Sequence, residues 1–121
     1  MEYNSFEDML VWQKSMDLAV KIFSLTERLP KKEDFGLTSQ IRSSGLSVSG
    51  NIAEGFGRKH TKDKLNFYYN ARGSLAETKS HLIYGYKVKY FNRGEFEEYS
   101  KLIKEIWKEL NSLINSLSKR R

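Results

Sequence analysis

The chain has 121 residues and an excess of basic over acidic side chains, 21 to 15, for a formal charge of +6 that favours polyanionic partners such as RNA or DNA. That length suits one domain, whose folding buries roughly two thirds of the unfolded surface, and 39% hydrophobic with 13% aromatic residues excludes a disordered polar chain. The absence of cysteine excludes disulfides, thiolate metal sites and cysteine nucleophiles, while "MEYNSFEDML" lacks a signal-peptide run and no stretch can span a bilayer, so a soluble, cytoplasmic protein with no membrane partner is expected.

From about Phe6 to Leu29, the residues Val11, Leu18, Ile22, Leu25 and Leu29 recur at helical spacing. Ser5 with Asp8 forms a capping pair at the start, and Pro30 stops the helix because the residue before a proline avoids helical geometry. A second helix is predicted over 35–56, with Leu37, Ile41, Val48, Ile52 and Phe56 on one stripe, interrupted by Ser44 and Gly55. Another face of it aligns Ser39, Ser43, Ser47, Gly50 and Glu54. Small residues at this spacing are either a solvated serine face or a second packing surface, between subunits, where another backbone approaches closely.

Residues 50–57 hold three glycines and run into Arg58, Lys59 and His60. A phosphate loop requires Lys-Ser or Lys-Thr after its last glycine, where Phe56 and Gly57 stand here. A dinucleotide fingerprint requires a third glycine where His60 stands, and a strand where a helix precedes. The stretch therefore reads as a turn in which Gly57 ends the second helix with a left-handed cap and Thr61 is the N-cap of the third. The turn is basic, and Arg58, Lys59, Lys62 and Lys64 gather at one end of the bundle as candidate nucleic-acid contacts.

The third helix is predicted over 61–91, about 45 Å long, with Leu65, Tyr68, Tyr69, Ala76, Ile83, Tyr86 and Tyr90 on its main stripe. Gly73, Glu77, Tyr84 and Val88 lie off that stripe, so a further packing partner is expected there too. Arg72 and Lys79 fall inside the stripe, to be satisfied by Glu54 and Glu77 or by snorkelling at the bundle rim. The fourth helix, over 95–118, carries Tyr99, Ile103, Ile106, Leu110, Leu113 and Leu117 in alternating steps of four and three, which is a bundle seam. Short connections favour antiparallel neighbours, so the expected fold is all-α, an up-down-up-down four-helix bundle forming one domain over 1–121. Lys119, Arg120 and Arg121 remain as a basic tail.

No catalytic, metal or cofactor site emerges. A dimetal bundle needs two Glu-x-x-His pairs and two further glutamates, whereas this chain has only His60 and His81, with Glu77 four residues before His81. No nucleophile-elbow motif holds a hydrolytic triad.

The segments "VWQK", "GLTSQIR", "NIAEGFGR" and "GSLAE", in this order, resemble the four-helix bundle family named for proteins encoded in intervening sequences of 23S ribosomal RNA genes. The likeness runs from about Phe6 to the end of the third helix, and the fourth resembles the family in pattern only. It implies ring-shaped homo-oligomers, commonly pentamers, with no established catalytic activity. It also implies kinship with the basic accessory proteins of diversity-generating retroelements, which bind nucleic acid and a reverse transcriptase. The family's motif positions fall on Trp12, Gln40, Arg42, Asn51, Glu54, Gly55, Gly57, Arg58, Gly73, Ser74 and Glu77. After "GSLAE" the family often continues with acidic and amide residues, where this chain has Thr78, Lys79, Ser80 and His81. A non-enzymatic oligomeric scaffold that binds nucleic acid is the leading expectation, and a protein-binding adaptor with incidental charge is the alternative.

Overall fold

The structure, a computed structural model, describes residues 3–119, so Arg120 and Arg121 of the basic tail lie outside the described residues. Four helices follow in order: α1 Leu10–Thr26, α2 Leu37–Gly57, α3 Thr61–Lys87 and α4 Arg93–Ser118, with single 3-10 turns at Phe6–Asp8 and Lys31–Glu33. Cross-helix contacts fix their directions. Ser44 meets Thr78 while Gly55 meets Tyr68, so α2 and α3 run antiparallel. Lys14 meets Glu109 and Lys21 meets Glu98, which makes α1 and α4 antiparallel. Arg72 meets Asn111 and Lys79 meets Phe96, which does the same for α3 and α4. Arg42 reaches back to Thr26 at the start of α2, completing the up-down-up-down order. The packed pairs are α1–α2, α2–α3, α3–α4 and α4–α1, a square in which α2–α3 is the most intimate side.

The core is the inner stripe of each helix, with Leu18, Ile22, Ile41, Val48, Ile52, Leu75, Leu82, Ile106 and Leu110 almost wholly buried. Burying such side chains contributes roughly 1.5–3 kcal/mol each before entropy is counted. Among the described residues no helix is long and apolar enough to cross a membrane.

The helix ends differ from the sequence reading in instructive ways. At the N-terminus the Ser5 hydroxyl accepts from Glu7 N at 3.2 Å and closes a 3-10 turn, so the cap acts through Glu7 and not Asp8. Met9 is then extended and buried, and α1 starts only at Leu10. α1 ends at Thr26, short of Leu29, where the Thr26 hydroxyl donates back to Ile22 O at 2.7 Å and accepts from Arg42 Nε at 2.8 Å. Pro30 opens the Lys31–Glu33 turn, and the Glu33 carboxylate accepts from Leu37 N at 3.1 Å, capping α2 two residues after the predicted start. Phe35 is 97% exposed and belongs to no helix.

Gly57 ends α2 without a left-handed cap, since no described glycine has positive φ and Arg58 leaves in extended geometry. Thr61 is the first helical residue of α3, and His60 precedes it with no side-chain cap. The left-handed residue lies elsewhere. Lys89, with φ 71°, closes α3 as Lys89 N donates to Tyr86 O at 3.0 Å and Tyr90 N to Gly85 O at 2.9 Å, a Schellman motif with lysine where glycine is usual. α3 therefore stops at Lys87, giving about 40 Å at the helical rise. The chain folds back so that Phe91 lies buried over Gly85.

The buried stripe of α3 is also rotated from the expected one. Leu65 and Tyr68 are buried, but Ala71, Leu75, Thr78, Leu82 and Gly85 continue the stripe, while Tyr69 and Ala76 are exposed and Ile83, Tyr86 and Tyr90 lie half-buried. Close approach of α2 demands small side chains on this side, so the aromatics move to the flanks.

Two outcomes are expected. A Cβ at Gly85 would fall 2.2 Å from the buried Phe91 ring, so Gly85→Ala should lower stability by about 1–3 kcal/mol, whereas Lys89→Gly should raise it by up to about 1 kcal/mol by relieving left-handed strain; urea denaturation midpoints distinguish the two. Hydrogen bonding from Arg28 holds the Glu95 carboxyl below its ordinary value of 4.5, and the Leu37 amide with the Tyr90 hydroxyl does the same for Glu33. Groups with depressed native values stabilise the fold above their unfolded values and lose that contribution as pH falls through the native ones. The urea midpoint should thus stay level down to about pH 5 and decline below, and Glu95→Gln should lower the neutral-pH midpoint and flatten the acid decline.

Candidate nucleic-acid interface

The α2–α3 turn, the N-terminal turn and the end of α4 share one end of the bundle, because all neighbouring helices are antiparallel. Arg58, Lys59 and Lys62 are exposed at this end, together with Lys119. Arg58 donates to Glu54 at 3.1 Å and stacks 4.7 Å from the Phe67 ring centroid, so its guanidinium is held in place yet open to solvent. Lys64 does something else. It is half-buried, and its Nζ donates to Phe56 O at 2.8 Å and to Gly55 O at 3.3 Å, carbonyls of the last turn of α2, of which Gly55 O also accepts from Arg58 N. Burial pushes its amine below the ordinary lysine value. Of the four basic candidates, the structure thus brings three together at the surface and sets Lys64 inward as a helix clamp.

The small-residue face of α2 points outward. Ser43, Gly50 and Glu54 are exposed and Ser47 is half-buried, and a Cβ at Gly50 would meet nothing within 4 Å. The Ser47 hydroxyl donates to Ser43 O at 2.9 Å and Asn51 to Ser47 O at 2.9 Å, so these two side chains bond within their own helix. Gly73 is likewise open, and Glu77 is exposed with its carboxylate 3.3 Å from His81 Nε2. Among the described residues no third acidic or histidine ligand joins that pair. Leu46, 59% exposed, lies beside the small face and continues it toward Val20 and Phe23 of α1, which are also more than half exposed.

The expected pairing of Arg72 and Lys79 with Glu54 and Glu77 is not formed. These cations lie on the side of α3 that meets α4, whereas Glu54 is on α2 and Glu77 is turned away around α3. Arg72 donates to Asn111 Oδ1 at 2.8 Å and lies between the Tyr69 and Trp107 rings, and Lys79 Nζ rests 5.1 Å from the Phe96 ring centroid. Snorkelling over aromatic rings satisfies both.

Sequence reasoning also missed how α4 sorts its charges. Glu95, Glu98, Glu105 and Glu109 face α1 and hold Arg28, Lys21 and Lys14, while Lys101, Lys104 and Trp107 line a concavity shared with α3. The signal was present in the register of the glutamates, three, seven and four residues apart, which share one helical face. Lys64→Met tests the clamp. It removes the charge at the end of α2 while keeping the stem, and should lower stability by about 1 kcal/mol, read from the denaturation midpoint.

The comparisons with known proteins agree with this architecture. No curated protein matches the chain. Among solved structures, the chain is similar to a crystal structure from Bacteroides thetaiotaomicron of a protein of unknown function in the S23 ribosomal protein family, at 28% identity and a TM-score of 0.79, covering 87% of this chain and 98% of that one. Residues 7–112 match the family described as 23S rRNA-intervening sequence protein, a span that includes all of α1, α2 and α3 and most of α4. The chain belongs to the 23S rRNA-intervening sequence protein family.

Proposed function

We propose that the protein is a non-enzymatic oligomeric scaffold that binds RNA or DNA through basic side chains on its surface. The sorting of charge carries this reading. Glu95, Glu98, Glu105 and Glu109 are engaged by cations of their own chain, as are Glu54 and Glu97. Lys59, Lys62, Lys101 and Lys104 have no acidic partner among the described residues. Part of the formal surplus of +6 is therefore displayed to solvent on these lysines, where it attracts a polyanion.

Assembly is supported by the continuous surface of Val20, Phe23 and Leu46 with the small-residue face of α2. A closed homo-oligomer, a pentamer by likeness to the family, repeats the Arg58, Lys59 and Lys62 end around one rim and multiplies a weak patch. The second reading is a protein-binding adaptor without nucleic acid, which the same apolar surface favours. Kinship with retroelement accessory proteins makes a reverse transcriptase one candidate partner of that kind.

Titration with structured and single-stranded RNA over a salt series tests the proposal. Affinity should fall steeply with salt, by about 0.7 log units per log unit for each single-strand phosphate contact. Replacing Arg58, Lys59 and Lys62 by Ala should weaken binding evenly across sequences and flatten the slope, with oligomer size unchanged. Gly50→Leu, whose added Cβ meets nothing of its own chain within 4 Å, should reduce the mass seen by light scattering. Wild-type protein that binds no nucleic acid at low salt would leave the adaptor reading in its place.

A further inference from the structure

Resting on the nucleic-acid reading, we infer that the concavity between α3 and α4 is a stacking site for single-stranded nucleic acid, with one base against Trp107 and flanking phosphates on Lys101 and Lys104. The shape arises from residue size. Ala76 of α3 and Ser100 of α4 are small, and between Phe96 and Trp107 they leave a depression of about 680 Å³ with Leu75 and Ile103 in its lining. Along α4 the lining runs from Phe96 to Trp107, about 16 Å at the helical rise, enough for a few nucleotides.

The two large rings play different parts. Phe96 stacks on Tyr86 with centroids 4.5 Å apart, and Lys79 lies 5.1 Å from it, so this ring is already in use as a wall. Trp107 is 40% exposed and has one cation beside it, Arg72, at 5.7 Å from its centroid. Arg72 is itself tied to Asn111 at 2.8 Å, so cation and indole are positioned before a ligand arrives. An exposed indole beside fixed and mobile cations is the combination by which single strands are held without sequence readout. Duplex nucleic acid cannot offer a free base face to it.

Charge points to a polyanion as the occupant. Lys79, Lys101 and Lys104 line the concavity against one carboxylate, Glu97, and that carboxylate accepts from Arg93 Nε at 2.9 Å. Burial pushes the Lys79 amine below its ordinary value with no carboxylate opposing the shift, and a phosphate drawn into the groove would supply that missing anion. A second copy of the chain would need an acidic face to fit here, but the glutamates in register on α4 already hold Lys14, Lys21 and Arg28. The copy finds a better match on the largely uncharged α1–α2 side, around Val20, Phe23 and Leu46.

The test uses the full chain with a labelled single-stranded RNA of roughly ten nucleotides, within the usual span of single-strand sites. Affinity is read by fluorescence anisotropy, and contact with Trp107 by indole quenching in a Trp12→Phe background. Single-stranded RNA should quench Trp107 saturably and a duplex of the same sequence should not. Trp107→Ala should weaken binding about tenfold, and Lys101→Ala with Lys104→Ala should weaken it and flatten the salt slope, all at unchanged oligomer mass. Three results overturn the groove while leaving the general reading in force. These are wild-type affinity in both groove variants when the Arg58, Lys59 and Lys62 variant loses binding, equal quenching by duplex, and a fall in mass of the lysine variant, which assigns the groove to a second copy. Failure of the unaltered protein to bind RNA at low salt overturns both.

Discussion

The closeness of α2 and α3 is the constraint on which the rest of the bundle depends. Their link comprises only residues 58–60, so the two helices must run antiparallel and side by side from their first turn. Close contact is possible because the side chains between them are small or fit a gap. Gly55 leaves room for the Tyr68 ring, and the Ser44 hydroxyl accepts from Thr78 Oγ1 at 2.9 Å where larger residues would hold the helices apart. The Thr78 hydroxyl also lies 2.8 Å from Ser74 O, so the buried polar pair is tied into the backbone and not left unsatisfied. With these two helices pinned together, α1 and α4 pack on the remaining sides and close against one another through ion pairs.

A second regularity follows from the antiparallel order. α1 and α2 each finish beside the beginning of the next helix, and a cation of that next helix meets one of their last carbonyls. The chain after α3 is met by a cation from just beyond the end of α1. Arg42 of α2 donates to Phe23 O of α1 at 3.3 Å and Lys64 of α3 donates to Phe56 O of α2. After α3, Arg28 reaches Tyr90 O at 2.9 Å while its guanidinium pairs with Glu95 at the start of α4. Helix C-termini carry partial negative charge and orphan acceptors, so a cation there stabilises by both routes. The consequence for function is a division of the basic residues. Arg28, Arg42 and Lys64 complete the fold, and a count of lysines and arginines overstates the charge available to a ligand.

The four helices were legible because their apolar stripes are long and regular, and α4 shows this best with Tyr99, Ile103, Ile106 and Leu110 all buried. α3 was harder. Its aromatic residues outweigh its small ones in any hydrophobic reading, yet Ala71 and Thr78 are buried and Tyr69 is not, because proximity to α2 selects for size, and Gly85 is buried because the Phe91 ring lies over it. Its end was hidden for a related reason, since the left-handed residue is Lys89 and no glycine marks it. Among the candidate site residues, the basic turn could be located from sequence, but the inward course of Lys64 could not. Nothing in "RKHTKDK" separates a lysine that caps a helix from one that faces water; the geometry of the preceding helix end decides it.

Position in the square of helices also separates two chemistries. The α1–α2 side, with Val20, Phe23 and Leu46 exposed, is apolar and lies opposite the α3–α4 side, where Lys79, Lys101 and Lys104 line a concavity with Phe96 and Trp107. An apolar face gains by excluding water against another protein surface, whereas a cationic groove with an exposed indole gains most from a flexible anion that brings its own flat rings. Because the two faces point in opposite directions, one can be covered by a neighbouring subunit while the other stays open. α4 makes this separation possible by turning its glutamates toward α1 and its lysines away from it, so that a single helix both closes the bundle and lines the groove.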